Sequence, residues 1–252
     1  MLYSFKRGEP ARGYVVLVHG LGEHSGRYEP LIEKIGASGL SVIGFDLPGH
    51  GKSGGRRGDT SVEEVIRVID ELTRGIERFR LFGHSLGGLI AIRYAQERPQ
   101  RVEKLVVSSP ALMVKPAVFQ RILLTLLSGI APFVTFDNGI NAGMLSRSKE
   151  AVEKYLSDPL VHDRISIRLG RSLLKNVDKA HQYAEKIVCP VTLLIGTADV
   201  ITPPEGARLF YERLRTQRKK MLEFPGGYHE LFEDPQHAVN FKEAVVSELL
   251  EI

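Results

Sequence analysis

Phe79-Arg80-Leu81-Phe82-Gly83-His84-Ser85-Leu86-Gly87-Gly88-Leu89-Ile90-Ala91-Ile92-Arg93-Tyr94-Ala95 is the stretch that decides the fold. Its apolar opening passes into a helical pattern across a G-x-S-x-G pentapeptide, Gly83 to Gly87. The pentapeptide alone is common by chance, but between a strand and a helix it carries a mechanism. The chain must turn so sharply that the serine takes a strained backbone conformation, and the flanking glycines remove side chains that would clash. Such a turn lifts the Ser85 hydroxyl above a sheet and aims a helix N-terminus, which favours negative charge, at it. The competing reading is a glycine-rich turn whose serine only caps the helix.

Outward from this turn, short apolar runs alternate with helical patterns. Strands are predicted at 13–19, 40–46, 79–82, 104–109, 191–196 and 219–224, dense in Val, Leu and Ile without alternation. That pattern suits parallel strands covered on both faces. Helices are predicted at 28–37, 61–77, 86–97, 204–214 and 236–250, with Pro99 after one and Asp234-Pro235 before another. Repeated β-α-β units imply an α/β fold with a mostly parallel, doubly wound sheet and a site at the C-terminal strand ends. From about 111 to 177 the rhythm breaks into helical patterns such as Val118–Leu127, with no convincing strand. A segment that long is no plain loop. We therefore expect a core of residues 1–110 and 178–252 with a helical cap, residues 111–177, inserted over the sheet. Part of the cap's apolar surface should line a pocket above Ser85.

The 252 residues suffice for one large domain with an insertion. A net charge of +4 is mild, and basic clusters such as Arg56-Arg57 and Arg215 to Lys220 lack interleaved aromatics, which argues against a nucleic-acid partner. Neither a signal pattern nor a bilayer-spanning stretch is visible, so a cytoplasmic location is expected. One cysteine cannot form an intramolecular disulfide, and Cys189, before Pro190 at a strand entrance, reads as a small core residue.

A serine hydroxyl needs a base. Among the eight histidines, His84 adjoins Ser85, His19 and His50 sit in glycine-bearing turns, His162 and His181 lie in the cap region or just past it, and His237 falls in the last helix, which with His24 leaves one loop histidine near the last strand. His229 occupies the loop Pro225-Gly226-Gly227-Tyr228-His229-Glu230 after the last strand, which reaches the same sheet edge as Ser85. An imidazole base needs a carboxylate to fix its tautomer. Asp199, just past the fifth strand, fits the chain order Ser, Asp, His, whereas Asp46 ends a strand but precedes the serine. The developing oxyanion needs donors, which the backbone N–H groups of Leu21 and Leu86 can present.

HGLGEHSGRY (19–28), FDLPGHGKSGGRRG (45–58), GHSLGG (83–88), GTAD (196–199) and GGYHELFED (226–234) together resemble the monoacylglycerol lipases of the α/β-hydrolase superfamily. These are grouped with lysophospholipase-like serine hydrolases. MLSRSKEAVEKYLSDPL (144–160) is similar to the family's cap sequence, so the resemblance covers nearly the whole chain. It implies an α/β-hydrolase fold, the triad Ser85, Asp199 and His229, oxyanion donors at Leu21 and Leu86, no metal and no organic cofactor. It also implies that Glu23, Arg27 and Tyr155 lie near the polar head of the substrate. The alternative for Glu23 and Arg27 is an ion pair holding the oxyanion loop. Mammalian members carry a further histidine shortly after the catalytic one, where this chain has Phe232.

The expected activity is that of a serine esterase cleaving monoacylglycerols, its partner a small lipid ester met through peripheral contact of the cap with a membrane. A lysophospholipase or broad carboxylesterase is the near rival. Serine peptidases and C–C hydrolases share the triad and differ in the pocket. A catalytically silent binding protein of this fold should have lost a triad or oxyanion element, and none is missing. The sequence assigns no oligomeric state.

Overall fold

The computed structural model describes residues 1–113 and 132–251, so the apolar stretch Val118–Leu127 lies outside the described residues. Seven strands form the central sheet: β1 (Ser4–Arg7), β2 (Tyr14–Val18), β3 (Ser41–Phe45), β4 (Phe79–His84), β5 (Val102–Ser108), β8 (Val191–Gly196) and β9 (Lys219–Phe224). Their order is β1-β3-β2-β4-β5-β8-β9. Every pairing is parallel except that of β1, which runs antiparallel to β3. The six strands expected from the apolar runs are present, and β1 is an addition. Its sequence, Ser-Phe-Lys-Arg, is mostly exposed and lacks the apolar signature of the buried strands.

Alternation along each strand divides the core between the sheet's two faces. Val16 and Val18 of β2 join Leu81 of β4, Val107 of β5 and Leu193 of β8 on one face. Helices α2 (Val62–Leu72), α3 (Leu86–Glu97), α5 (Ile167–Gln182) and α6 (Pro204–Arg213) contribute to that cluster. Val15 and Leu17 point to the other face, where α1 (Glu29–Ala37) and α7 (Ala238–Leu250) supply Leu31, Ile35, Phe241 and Val245. Helix α2 starts where Ser61 Oγ accepts the Glu64 N–H at 3.1 Å. It stops at Leu72 rather than continuing to residue 77, because Gly75 turns into the left-handed region at φ 84°. Cys189 is buried, and burial pushes its thiol up to about 11.

Between β5 and α5 the described residues add a small antiparallel pair, β6 (Thr135–Asp137) with β7 (Arg164–Ser166), and the helix α4 (Lys149–Ser157). The expectation of a strand-free insertion is therefore corrected. Strands of three residues are too short to show periodicity in sequence. The expected boundary at residue 177 falls inside α5, which is bolted to the core helices. Ser172 Oγ accepts the Val62 N–H at 2.9 Å, and Asn176 Oδ1 accepts Arg93 Nε–H at 3.0 Å. Because β2, β4, β8 and β9 are parallel, the loops that follow them, carrying Leu21, Ser85, Asp199 and His229, all emerge at one sheet edge.

Candidate active site

Ser85 leaves β4, the middle strand, at φ 53° and ψ −119°. Such a conformation costs a non-glycine residue about 1–3 kcal/mol and is held by its neighbours. The Ser85 N–H donates to Ser108 O at 3.0 Å, and Ser85 O accepts the N–H groups of Leu89 at 3.1 Å and Ala111 at 3.0 Å. A Cβ on Gly83 would lie 2.3 Å from Gly87 O, and one on Gly87 would lie 2.1 Å from Val18 O, so both flanking glycines are sterically required. The Ser85 side chain makes no capping bond to α3. The helix-cap reading of this serine is thus set aside.

Asp199 and His229 meet across two loops. His229 Nδ1–H donates to Asp199 Oδ2 at 2.8 Å, which leaves the lone pair on Nε2. Asp199 Oδ1 accepts the N–H groups of Ile201 at 2.8 Å and Thr202 at 3.0 Å. The Thr202 hydroxyl stands 2.8 Å from Asp199 Oδ2, 3.1 Å from His229 Nδ1 and 3.0 Å from Ser109 O. Ser109 Oγ in turn donates to His229 O at 2.9 Å. Burial alone would raise the Asp199 carboxyl, but the His229 charge and the hydrogen bonds from His229 and Thr202 outweigh it and hold it below its ordinary value. For His229, burial pulls down, and Asp199 first, then Glu230 and Glu23, leave it above 6.5. His84 packs its ring 4.7 Å from the ring of His229; burial, then the neighbouring His229, push it down to about 3, so it stays neutral. Asp46 is engaged elsewhere, accepting from Ser25 N–H and Lys52 N–H, both at 2.8 Å.

Glu23 and Arg27 form the ion pair weighed from the sequence, at 2.7 Å. Glu23 Oε1 also accepts the Gly20 N–H at 2.6 Å and the Tyr28 O–H at 2.7 Å, so it braces the loop that carries Leu21. Arg27 gives a second, bidentate pair to Glu230, at 2.6 and 2.7 Å. Its guanidinium lies 4.8 Å from the ring of Tyr155 and 5.4 Å from that of Phe232. Burial works against an ionised Glu23, yet the Arg27 guanidinium first, helped by the hydrogen bond from Tyr28, holds it down at about 2.

Two cavities join at Ser85. The larger measures about 880 Å³ with its open mouth included. Leu21, Leu86, Met113, Ile140, Ile165 and Leu173 make it apolar. The smaller is lined by Ser85, His229, Glu23, Tyr155, Glu230 and Leu145 among others, and is polar on one side. All eight residues expected at the site are thus brought to one region: Ser85, Asp199, His229, Leu21, Leu86, Glu23, Arg27 and Tyr155. Among the described residues, no cluster of three or more His, Cys, Asp or Glu side chains is arranged to hold a metal ion. Sequence reading missed Thr202 and Glu230. The signal for Thr202 is a hydroxyl residue three places past Asp199, close enough in the chain for the carboxylate to gather it. The signal for Glu230 is an acid next to His229 in a loop otherwise built of Pro, Gly and Tyr.

The family model described as Serine aminopeptidase, S33 matches residues 9–236. The crystal structure of a monoacylglycerol lipase from Paleococcus ferrophilus superposes with a TM-score of 0.96 at 51% identity, over 99% of this chain and 98% of that one. A human protein named monoglyceride lipase is 33% identical over 91% of this chain and 79% of its own length. A Bacillus subtilis protein named phospholipase YtpA is 30% identical over 96% of this chain and 97% of its own length.

Proposed function

This chain belongs to the S33 serine aminopeptidase family and has the α/β-hydrolase fold, and we propose from that premise that it cleaves monoacylglycerols to fatty acid and glycerol. The reading is carried by one observation: a serine on a strained turn opens into the same chamber as a histidine whose Nδ1 is held by a buried carboxylate. In our mechanism His229 Nε2 removes the Ser85 proton as Oγ attacks the ester carbonyl. The Leu21 and Leu86 N–H groups stabilise the tetrahedral oxyanion; Leu86, first residue of α3, has no intrahelical partner for its N–H. The imidazolium then protonates the departing glycerol oxygen, and water, deprotonated by His229, releases the fatty acid. The larger cavity receives the acyl chain and the smaller one the glycerol, with Glu23 and Tyr155 at its polar side. Arg27 acts there chiefly through its carboxylate partners, since both its terminal nitrogens already donate to Glu23 or Glu230.

Among the described residues the lining of the larger cavity carries no charged side chain, which suits the hydrocarbon chain of a lipid ester. We assign residues 111–177 as the cap of the core formed by 1–110 and 178–252, with α5 shared between them. We also read the enzyme as cytoplasmic and as collecting substrate at a membrane surface. Phe133, Val134 and Leu156 support the latter, being exposed apolar residues in the cap segment at 53%, 45% and 67%. Among the described residues no helix is long and apolar enough to cross a bilayer. The likeness to the Bacillus subtilis phospholipase supports a second reading, lysophospholipid hydrolysis. A monoacylglycerol assayed beside lysophosphatidylcholine of the same chain separates the two.

Ser85→Ala tests the core of the proposal. Removing the nucleophile leaves only oxyanion and binding contributions, so turnover should fall by about 10³-fold or more in a folded protein. A fluorophosphonate should label the wild-type chain at Ser85 and leave the variant unlabelled. Undiminished turnover by folded Ser85→Ala would overturn the reading.

A further inference from the structure

Glu230 is buried and carries a charge next to His229, yet the reaction above gives it no step. Its side chain and its backbone reach two other parts of the site. The side chain holds Arg27 through both carboxylate oxygens, Arg27 holds Glu23, and Glu23 holds the Gly20 N–H beside Leu21. The backbone N–H of Glu230 donates to Leu145 O at 2.8 Å, in the cap segment. Arg27 also faces Tyr155 of α4, in the cap, and Phe232 of the histidine loop. The base on one loop and the oxyanion donor on another are therefore joined by a continuous charged bridge, His229–Glu230–Arg27–Glu23–Gly20–Leu21. Burying three such charges is costly unless each is paired, and a well-packed apolar cluster of the same volume is often as stable.

We propose that Glu230 is a positioning residue, which through Arg27 sets the His229 loop and the oxyanion loop in fixed relation and adds a negative charge behind the imidazolium. This inference rests on the reading of Ser85 and His229 as nucleophile and base. The groups that face His229 are Asp199 from the loop after β8, Glu230 beside it, Glu23 and Arg27 from the loop after β2, and His84 from β4. Only the carboxylates among them favour the protonated ring. Glu230 itself is pushed up by burial, and Arg27 opposes that rise without cancelling it.

Glu230→Gln keeps the shape and removes the charge. It should lower kcat about tenfold or more with little change in KM, the scale of one charge-assisted hydrogen bond. The acidic limb of kcat/KM should move about half a pH unit or more toward lower pH, because the imidazole loses a negative neighbour. Thermal unfolding reports any purely structural loss separately. Glu230→Asp retains the charge, so its acidic limb should stay at the wild-type position and its kcat should fall less. A folded Glu230→Gln enzyme with wild-type kcat and an unmoved acidic limb overturns the proposal; so does Glu230→Asp displacing the limb as far as Gln does. Ser85→Ala, run alongside, separates the two readings: retained turnover there condemns the nucleophile assignment, whereas a Glu230→Gln enzyme that behaves as wild type condemns only the bridge.

Discussion

His229 sits among charges and a buried environment that pull its proton affinity in opposite directions, and the carboxylates prevail. A general base works only when neutral, so a pKa above 6.5 puts the loss of activity above that value on the way down. The kcat/KM profile should accordingly rise with pH through a midpoint above 6.5. Asp199→Asn should remove most of this lift and favour the wrong tautomer, lowering kcat by about 10³–10⁴-fold with modest change in KM. Asp46→Asn instead disturbs the amides of Ser25 and Lys52, and its expected effect is a lower melting temperature. A larger kcat loss in folded Asp46→Asn than in Asp199→Asn would reverse the assignment. Ser85, Asp199 and His229 were legible as residues because each follows an apolar run, and parallel strands deliver such positions to one edge. Thr202 and Glu230 were not, because their importance lies in partners 27 and 203 residues away in the chain.

At the scale of elements, the turn between β4 and α3 is where sequence and structure agree most closely. Glycine there answers a close approach of backbones, which a single methyl group tests. In Gly87→Ala the new Cβ would stand 2.1 Å from Val18 O, so β2 or α3 must shift. The expected cost is about 2 kcal/mol, the scale of overpacking, or about 4–8 °C in Tm for a domain of this size. Gly36→Ala in α1 is the control: its Cβ meets nothing closer than Gly8 Cα at 4.0 Å, and stability should rise by about 0.5–1 kcal/mol. Equal unfolding temperatures for the two variants would refute the steric account. The buried strands could be read because both their faces must be apolar. Edge strand β1 could not, since its exposed residues owe their strand form to pairing with β3 and not to burial. The β6–β7 pair likewise depends on its partner, Phe136 facing Ile165 across the register.

Across the whole molecule, the segment between β5 and α5 supplies Asn138, Ile140, Met144 and Ile165 to the cavity that opens on Ser85. The broken β-α rhythm after β5 was legible, since among the described residues no strand of the central sheet lies between β5 and β8 in the chain. The segment's end was not, because α5 keeps one helical pattern while passing from cavity wall to core. Leu173 lines the larger cavity, and three residues later Asn176 is bonded to α3. The oxyanion loop is tied to the cap at two points, by His24 Nε2 to Asp158 Oδ2 at 2.8 Å and by His162 N–H to Gly22 O at 2.9 Å. We expect this cavity to take one hydrocarbon chain, each methylene it buries contributing about 0.8 kcal/mol, or about fourfold in affinity. Efficiency on monoacylglycerols should therefore climb steeply with acyl length from acetate, then level off or fall once the apolar lining from Leu21 to Leu173 is filled. Triacylglycerols, with three chains for one channel, should be poor substrates at any length. Leu173→Phe, narrowing that wall, should move the optimum to shorter chains without slowing short-chain esters, provided its folding is intact by thermal unfolding. A graded monoacylglycerol series with a triacylglycerol control decides the matter: equal efficiency at all lengths, or a preference for the triester, rules out a single-chain cavity.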